Sequence, residues 1–467
     1  MHRIGYYALT LLAGAILATP VRAEFRPAGP AVAERYVAEA LSHNLALQGR
    51  TLDVEQARAK LAEARGAWQP RLDFVARYSR ADGGRTIDIP TGDMLNGVYS
   101  TLNDYLRSQG QAAAFPQISN QSISFLRDRE QETKLRLTQP IWRPEISRGI
   151  DAARAAAGGR EAQLGAYRRE LRLAVLTAYH TYLEAELAVE ILASSEKVTA
   201  EALRVNRVLF ENDKVTEDRV LRAEADDLAI QQQHAEAERD RNSARAYFNF
   251  LLNRPLTAPI DRAPDEELRA QAATLLADAA TDGMTPDRRE ELFALQQGVK
   301  ATSAGEAAAR ARSYPTLSLA VESGLQGTDY RTGGDAKFVQ GSLVAEFNIW
   351  DGRQNHNQLE QARIDRRKAE LQLSEAREQL ALQVQQAGDE FRATVAAYRA
   401  ADRRAEAASR AFDLVSQRER QGLVNQLSFL DARNELTRAA LNRAITEQRL
   451  FIAAAGLDRA AALSPLP

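Results

Sequence analysis

Few side chains in this sequence occur in spacings that could do chemistry. Its five histidines are scattered along the chain and include no HExxH pair, the helical spacing that binds zinc. Neither a glycine-rich phosphate loop nor the GxSxG turn of a serine nucleophile occurs. We therefore expect no enzymatic activity, no catalytic residue, no cofactor and no metal site.

Charge and cysteine content narrow the class of protein further. The chain has 61 Lys and Arg against 63 Asp and Glu, so there is no electrostatic reason to expect nucleic acid as a partner. It has no cysteine, which excludes disulfides, thiolate metal sites and a lipid-bearing N-terminal cysteine. Aromatic residues make up only 6%, which is typical of long alanine-rich helices rather than of a globular core.

The N-terminus predicts export. Residues 1–23 combine early basic residues, a short apolar stretch and small residues before Glu24, the pattern of a cleaved secretory signal peptide. The stretch is too short for a membrane-spanning helix, and a buried first helix is the alternative interpretation. No later segment offers a long uncharged apolar run, so a return to a membrane would require a β-barrel.

The chain repeats one plan twice: a helix, two strands and two long helices. Each strand pair is entered at a proline, at Trp68-Gln69-Pro70 and at Tyr314-Pro315, and prolines end helices and fix an extended backbone. Beyond the strands, apolar residues align at an offset of 209 with the 4,3 spacing of packed helices. The aligned pairs are Leu171 and Leu380, Val175 and Val384, Ala178 and Ala387, Tyr182 and Phe391, Ala185 and Thr394, Val189 and Tyr398, and Leu192 and Ala401.

Helix length and the strands distinguish this plan from a fibrous coiled coil. Each descending helix has room for about 65 residues, or about 100 Å at the helical rise. A simple coiled coil would have no strands, whereas four segments here alternate between apolar and polar residues. The residues expected to face lipid are Leu72, Phe74, Leu135, Leu137, Leu317, Leu319, Phe347 and Ile349. An ordinary half-buried sheet is the alternative, but four strands cannot enclose a lumen, whereas three copies would supply twelve.

These features resemble the outer membrane factor family of TolC-like efflux channels. The resemblance is carried by the duplicated plan, by the segments at Trp68 and Tyr314, and by the turn that runs from Gln421 to Ala432. It implies an α+β membrane protein: a trimeric 12-stranded β-barrel, four strands per chain, continued by a long α-helical barrel with internal duplication. It also implies a homotrimer in the outer membrane of a Gram-negative bacterium, in contact with outer-membrane lipid, with its helical part in the periplasm.

The implied function is passive conduction. In such a system the channel is the exit duct of a tripartite efflux system for small molecules, and it receives cargo from an inner-membrane transporter through a periplasmic adaptor protein. A type I protein-secretion channel would share the architecture, and a secreted structural coiled coil is an alternative of another class.

The expected organisation follows the repeat. The segments are residues 1–23, the signal peptide; 24–67, the first-repeat helix; 68–142, the first β-hairpin with a long extracellular loop; 143–253, the first long helical hairpin; 254–285, an equatorial segment; 286–313, the second-repeat helix; 314–350, the second β-hairpin; 351–456, the second long helical hairpin; and 457–467, the C-terminal tail. The first copy has an insertion between its strands, around residues 81–130, which we expect to form an ordered cap or lining at the extracellular mouth.

The resemblance also implies a constriction near one helix turn. Asp431 falls on a position where the family forms an acidic ring, whereas Ser428 occupies the second such position and lacks the carboxylate. Arg222 lies opposite Asp431 at the 209 offset and could pair with an acidic group across the tip. Both charges could instead be solvated groups at a helix end.

Two turns are candidates for adaptor docking. They comprise Gly422, Leu423 and Val424 in one hairpin, and Val215 and Thr216 in the other. Glycine adopts left-handed turn geometry at little cost, and exposed apolar residues at a turn are typical of a docking surface. Local packing between the two helices of a hairpin is the alternative.

Overall fold

The structure is a computed structural model that describes residues 29–277, 283–421 and 423–466. The predicted signal peptide, residues 1–23, lies outside the described residues, as does Gly422. Within the described ranges, no helix combines the length and the hydropathy that a membrane span requires.

Long helices and short strands follow in the predicted order. The helices are α1 (Ala31–His43), α2 (Leu45–Gly66), α3 (Thr91–Ser108), α4 (Pro144–Glu211), α5 (Glu217–Leu251), α6 (Asp265–Ala277), α7 (Glu290–Ala311), α8 (Gln354–Arg420) and α9 (Gln426–Ala461). The strands are β1 (Arg71–Arg80), β2 (Thr86–Ile89), β3 (Gln121–Ser124), β4 (Arg129–Trp142), β5 (Thr316–Gly327) and β6 (Lys337–Glu346).

The chain divides into two compact units. The first comprises the described residues up to 55, residues 158–296 and residues from 370 onward, and it is helical. The second comprises residues 56–157 and 297–369, and it contains all six strands named above.

The two long helices have the predicted length and the predicted buried seam. Helix α4 has 68 residues and α8 has 67. Leu171 and Val175 on α4 are buried, as are their counterparts Leu380 and Val384 on α8. The 4,3 spacing therefore identified the packed face of both helices.

The first-repeat helix, expected as one element, is divided at Asn44. The backbone of Asn44 is extended, and its side-chain oxygen accepts a hydrogen bond from Leu47 N at 3.0 Å. Its amide nitrogen donates to Leu251 O at 2.8 Å. An asparagine that caps the next turn and bonds a neighbouring helix offers the backbone an alternative to a continuous helix, which explains the break.

Aromatic residues form the core of the helical unit and hold the segment that joins the two copies. The Tyr36 and Phe248 rings meet edge to face at 5.0 Å, and Tyr179 lies 6.0 Å from each. Both tyrosine hydroxyls accept backbone hydrogen bonds from this segment, from Asp261 N at 2.8 Å and from Ala263 N at 2.9 Å. Burial raises the pKa of Tyr179 to about 12, so it remains a neutral phenol.

A buried ion cluster lies at the start of α7. The Arg289 side chain is 2% exposed, and it donates to both carboxylate oxygens of Glu291 at 2.9 Å and to Ala460 O at 3.1 Å. Arg459 donates to the same carboxylate at 2.7 Å. Burial alone would raise the pKa of Glu291, but the bond from Arg289 and the charge of Arg459 outweigh it and lower this pKa to about 2.

In the second unit, four strands form one antiparallel sheet in the order β1-β4-β5-β6. The first and second copies of the repeat thus meet at the central pair, β4 and β5. Strands β2 and β3 form a separate two-stranded sheet inside the insertion.

Candidate functional site

One face of the four-stranded sheet is apolar and exposed. The register places Leu72 opposite Leu137 and Phe74 opposite Leu135, and it places Leu319 opposite Leu343. Successive strand residues point to opposite faces, so this register puts the apolar positions of all four strands on one side. The side chains with large exposure on this face are Leu72, Phe74, Tyr78, Leu135, Leu319, Val339 and Leu343, while Leu137 and Leu317 are half-buried.

The second hairpin is shorter than expected. Strand β6 ends at Glu346, so Phe347 and Ile349 lie beyond it and their assignment to a strand was wrong. Glu346 pairs with Thr316, the first residue of β5. The residue before Thr316 is Pro315, which has no backbone N–H to extend the ladder. Both apolar side chains are nonetheless exposed.

The opposite face of the sheet carries a chain of alternating charges across three strands. Lys134 donates to Glu132 at 2.7 Å and to Glu322 at 2.8 Å. Arg136 forms an ion pair with Glu322, and Arg77 lies 3.5 Å from Glu132, so the charge chain ends in an arginine on each side. Lys134 is nearly buried, and each carboxylate has two cationic partners, so both negative charges on this polar face are paired.

Beside this charge chain, the backbone of β5 lies close to β4. A Cβ atom on Gly324 would lie 2.2 Å from Thr133 O and 2.6 Å from Lys134 Cβ. Only glycine fits there without a shift of the strands.

The two helical hairpins turn with the same backbone geometry. Lys214 N donates to Leu209 O at 2.9 Å, and Leu423 N donates to Arg418 O at 2.9 Å. Both bonds span the same number of residues, and the second lies 209 positions after the first in the sequence, which is the offset of the repeat. At the C-terminal ends of α5 and α9, Arg254 N donates to Asn249 O at 2.9 Å and Leu463 N donates to Asp458 O at 3.2 Å, again at an offset of 209. These are Schellman-type helix ends, and their recurrence supports the duplication.

In the first turn Asp213, which aligns with Gly422, has a positive φ of 51°. Val215 is half-buried and Thr216 is exposed, and the Thr216 hydroxyl donates to Asp218.

In the second turn Asn425 caps α9. Its side-chain oxygen accepts hydrogen bonds from both the backbone N and the hydroxyl of Ser428 at 2.9 Å. Leu423 is 70% exposed and Val424 is half-buried. Ser428, considered for the constriction, therefore serves the helix cap in this chain.

The two charges proposed for a constriction are both exposed. Arg222 lies 3.9 Å from Asp218, one turn away on its own helix, and both side chains are largely in solvent. Asp431 is exposed one turn into α9. A pairing of Arg222 with an acidic group across the tip stays a prediction.

Two features near the turns were missed by the sequence reasoning. The last turns of α4 expose four apolar side chains: Val205, Val208, Leu209 and Phe210. Arg433 on α9 is almost fully buried, with its nearest carboxylate, Asp226, at 3.8 Å. Burial lowers the pKa of Arg433, and the charges of Asp226 and Asp227 partly offset this effect. The apolar run at 208–210 was a readable signal, whereas the burial of Arg433 depends on tertiary packing.

Across the described residues, no group of three or more His, Asp or Glu side chains is arranged to hold a metal ion.

Comparison with known proteins gives one family match and several structural neighbours. Residues 284–463 match the outer membrane efflux protein family. The Campylobacter jejuni CmeC outer membrane channel is similar in structure, with a TM-score of 0.76 at 15% identity over 99% of this chain and 94% of that one. The open state of the Neisseria gonorrhoeae MtrE outer membrane channel has a TM-score of 0.72 and 19% identity, over 92% of this chain and 88% of that one. The outer-membrane channel OprN has a TM-score of 0.73 and 17% identity, over 93% of this chain and 91% of that one. A search of curated proteins finds no match.

The resemblance drawn from the sequence is therefore confirmed, as is the fold class. The second half of the chain carries the family match, and nearly the whole chain has the fold of the outer-membrane efflux channels. The matched family is one of outer membrane efflux proteins, and the three structural neighbours are outer-membrane channels.

Proposed function

We propose that this protein is the outer-membrane exit duct of a tripartite efflux system and passively conducts small molecules to the outside. Cargo would come from an inner-membrane transporter through a periplasmic adaptor protein. The observation that carries the proposal is the exposed apolar face of a four-stranded sheet, both of whose edges lack a strand partner among the described residues. The long helices of the same chain form two matching hairpins.

The sheet edges support a homotrimer. Strands β1 and β6 each have one side without a strand partner within the described residues. Exposed edges readily pair with another chain, and pairing β1 of one copy with β6 of the next would close the sheet. Three copies would supply twelve strands with the apolar face turned to outer-membrane lipid and the charge chain turned to water.

The hairpin turns support a docking surface for the adaptor. Leu423 is exposed at one turn, and Val215 and Thr216 lie at the other, next to the exposed apolar end of α4. Apolar side chains kept in solvent at a helix end favour a protein partner. The Asp431 carboxylates of three copies would meet near the same end and attract cations, which makes this residue the candidate for a constriction.

Assembly and conduction can be tested on the purified protein. Light scattering in detergent should give the mass of three chains, and planar bilayers should show discrete conductance steps. A single-chain mass, or three chains without conductance, would contradict the proposed duct.

Small-molecule efflux is tested in cells that lack their own exit duct but retain a pump and adaptor able to couple to this protein. Expression should lower the accumulation of a fluorescent pump substrate, whereas a type I secretion channel would restore export of a protein substrate instead. Unchanged dye accumulation would argue against efflux.

Adaptor docking is tested by photo-crosslinking from position 423. Leu371 on α8 is a matched control, because it is also a leucine with 70% exposure but does not lie at a turn. Capture of an adaptor from position 423 and not from 371 is the expected result. Equal capture from both positions would contradict a docking site at the turn.

A further inference from the structure

The insertion between β1 and β4 is an ordered structure built around α3. The extended segment that follows the helix returns along one side of it and is held by asparagine side chains. Asn96 donates to Ile118 O and accepts from Ile118 N, both at 2.8 Å. Asn103 makes the same pair of bonds with Phe115 at 2.7 and 3.0 Å. Asparagines seven residues apart thus fix the returning backbone to one face of the helix.

The returning segment also lies close to the helix start. A Cβ atom on Gly92 would lie 2.4 Å from Ile118 O, and Asn120 bonds both the backbone and the carboxylate of Asp93 at 3.1 and 3.0 Å. The insertion is therefore folded, and one side of α3 is covered by the returning segment.

A neighbouring side of the same helix is apolar and uncovered. Met94 is 70% exposed, Tyr105 is 64% exposed and Val98 is 55% exposed, and Leu95 and Leu102 adjoin them. Residues three and four apart share one helix face, so these five side chains form a continuous stripe, called here the α3 stripe. An amphipathic helix normally turns such a stripe toward a partner, so an uncovered one indicates a missing partner.

Lipid is a poor candidate for that partner. The exposed apolar face of the sheet ends at Tyr78, and the next position on that face is Arg80, paired across the strands with Arg129. Asp82 follows Arg80 in the chain, Arg127 and Asp128 precede Arg129, and all three are exposed. Charged side chains at this density are excluded from hydrocarbon, so the insertion lies beyond the apolar band of the sheet and in contact with water.

A second copy is the partner that the topology offers. The insertion leaves the sheet from β1, which is an open edge, and from its neighbour β4. A copy that pairs with this edge lies beside the insertion. The stripe also includes Met94 and Tyr105, two residue types that are enriched at protein interfaces.

We infer that the α3 stripe packs against the insertion of a neighbouring copy, so that the insertions form a continuous collar around the extracellular mouth. This inference rests on the proposed three-copy channel. The collar adds protein contact between copies above the level at which the strands pair.

Photo-crosslinking in assembled protein tests the contact. A benzoylphenylalanine at position 98, in the stripe, should join two copies, whereas one at position 104, on the solvent-facing polar side of the helix, should not. Crosslinks from position 98 to lipopolysaccharide, or only within one chain, would overturn the inference.

Two variants measure its contribution. Val98→Asp should lower the temperature at which the three-copy assembly dissociates in detergent, and Ser100→Asp, on the polar side, should leave it unchanged. Equal dissociation temperatures would also overturn the inference. A wild-type protein that never forms the three-copy assembly would instead contradict the proposed channel, so the two failures are distinguishable.

Discussion

Replacing Glu291 by glutamine should strongly destabilise the helical unit at neutral pH. The carboxylate is the partner of the buried Arg289 and of Arg459, and glutamine leaves the Arg289 charge uncompensated. The folded-state pKa of about 2, against an ordinary value of 4.5, corresponds to roughly 3 kcal/mol of stabilisation. Removal of one partner from a buried ion pair costs a similar amount, about 3–5 kcal/mol.

The pH dependence has a defined sign. A carboxylate with a lowered pKa stabilises the folded state fully above its unfolded pKa, and this contribution disappears as the pH falls toward the folded pKa. The difference between wild type and Glu291→Gln should therefore be constant above about pH 5.5 and shrink between about pH 4.5 and pH 2.

Guanidinium unfolding of the full chain in detergent, followed by far-ultraviolet circular dichroism at several pH values, measures this difference. Glu406→Gln is the control, because Glu406 forms an exposed ion pair with Arg410 and such pairs contribute little. A Glu291→Gln protein as stable as wild type at neutral pH, or a difference that does not change with pH, would refute the reasoning.

Three further predictions concern the sheet, the linking segment and the constriction. Gly324→Ala should destabilise the assembled sheet by about 1–3 kcal/mol, because the added Cβ has no room. Gly341→Ala is the control, because a Cβ there meets no atom within 4 Å and should not destabilise the sheet. The temperatures at which the two variants dissociate measure the difference. Tyr179→Phe should cost about 1–3 kcal/mol in chemical unfolding by leaving Ala263 N without its acceptor, and wild-type stability would contradict this. Asp431→Ala should raise basal conductance or abolish cation block in planar bilayers, and no change in either would exclude Asp431 from the constriction.

Periodic patterns made most of the fold predictable. The seam from Leu171 and Leu380 onward repeats over many turns, so both the length of the long helices and their buried faces were readable. Alternation in the strands likewise gave the shared apolar face. These signals are local and repeat many times, which is why they survive tertiary packing.

Single-residue events were not predictable in the same way. Asn44 ends a helix because its amide reaches Leu251, more than two hundred positions away in the chain. Strand β6 stops at Glu346 because its partner strand starts after Pro315. Of the candidate tip residues, Leu423 is exposed while Val424 and Val215 are partly covered, a distinction that residue type does not show. The structure of the insertion depends on asparagine bonds that have no periodic signature.

The central pair of strands has a consequence for how the molecule forms. Strand β4 pairs with β5 although α4, α5, α6 and α7 all lie between them in the chain. Closing so long a loop is entropically costly unless the intervening chain is already compact, and distant pairings form slowly. We therefore expect the helices to acquire hydrogen-exchange protection before the strands do in refolding experiments. Newly exported chains would then pass through a state with folded helices and unpaired strands, and that state is the one most exposed to aggregation.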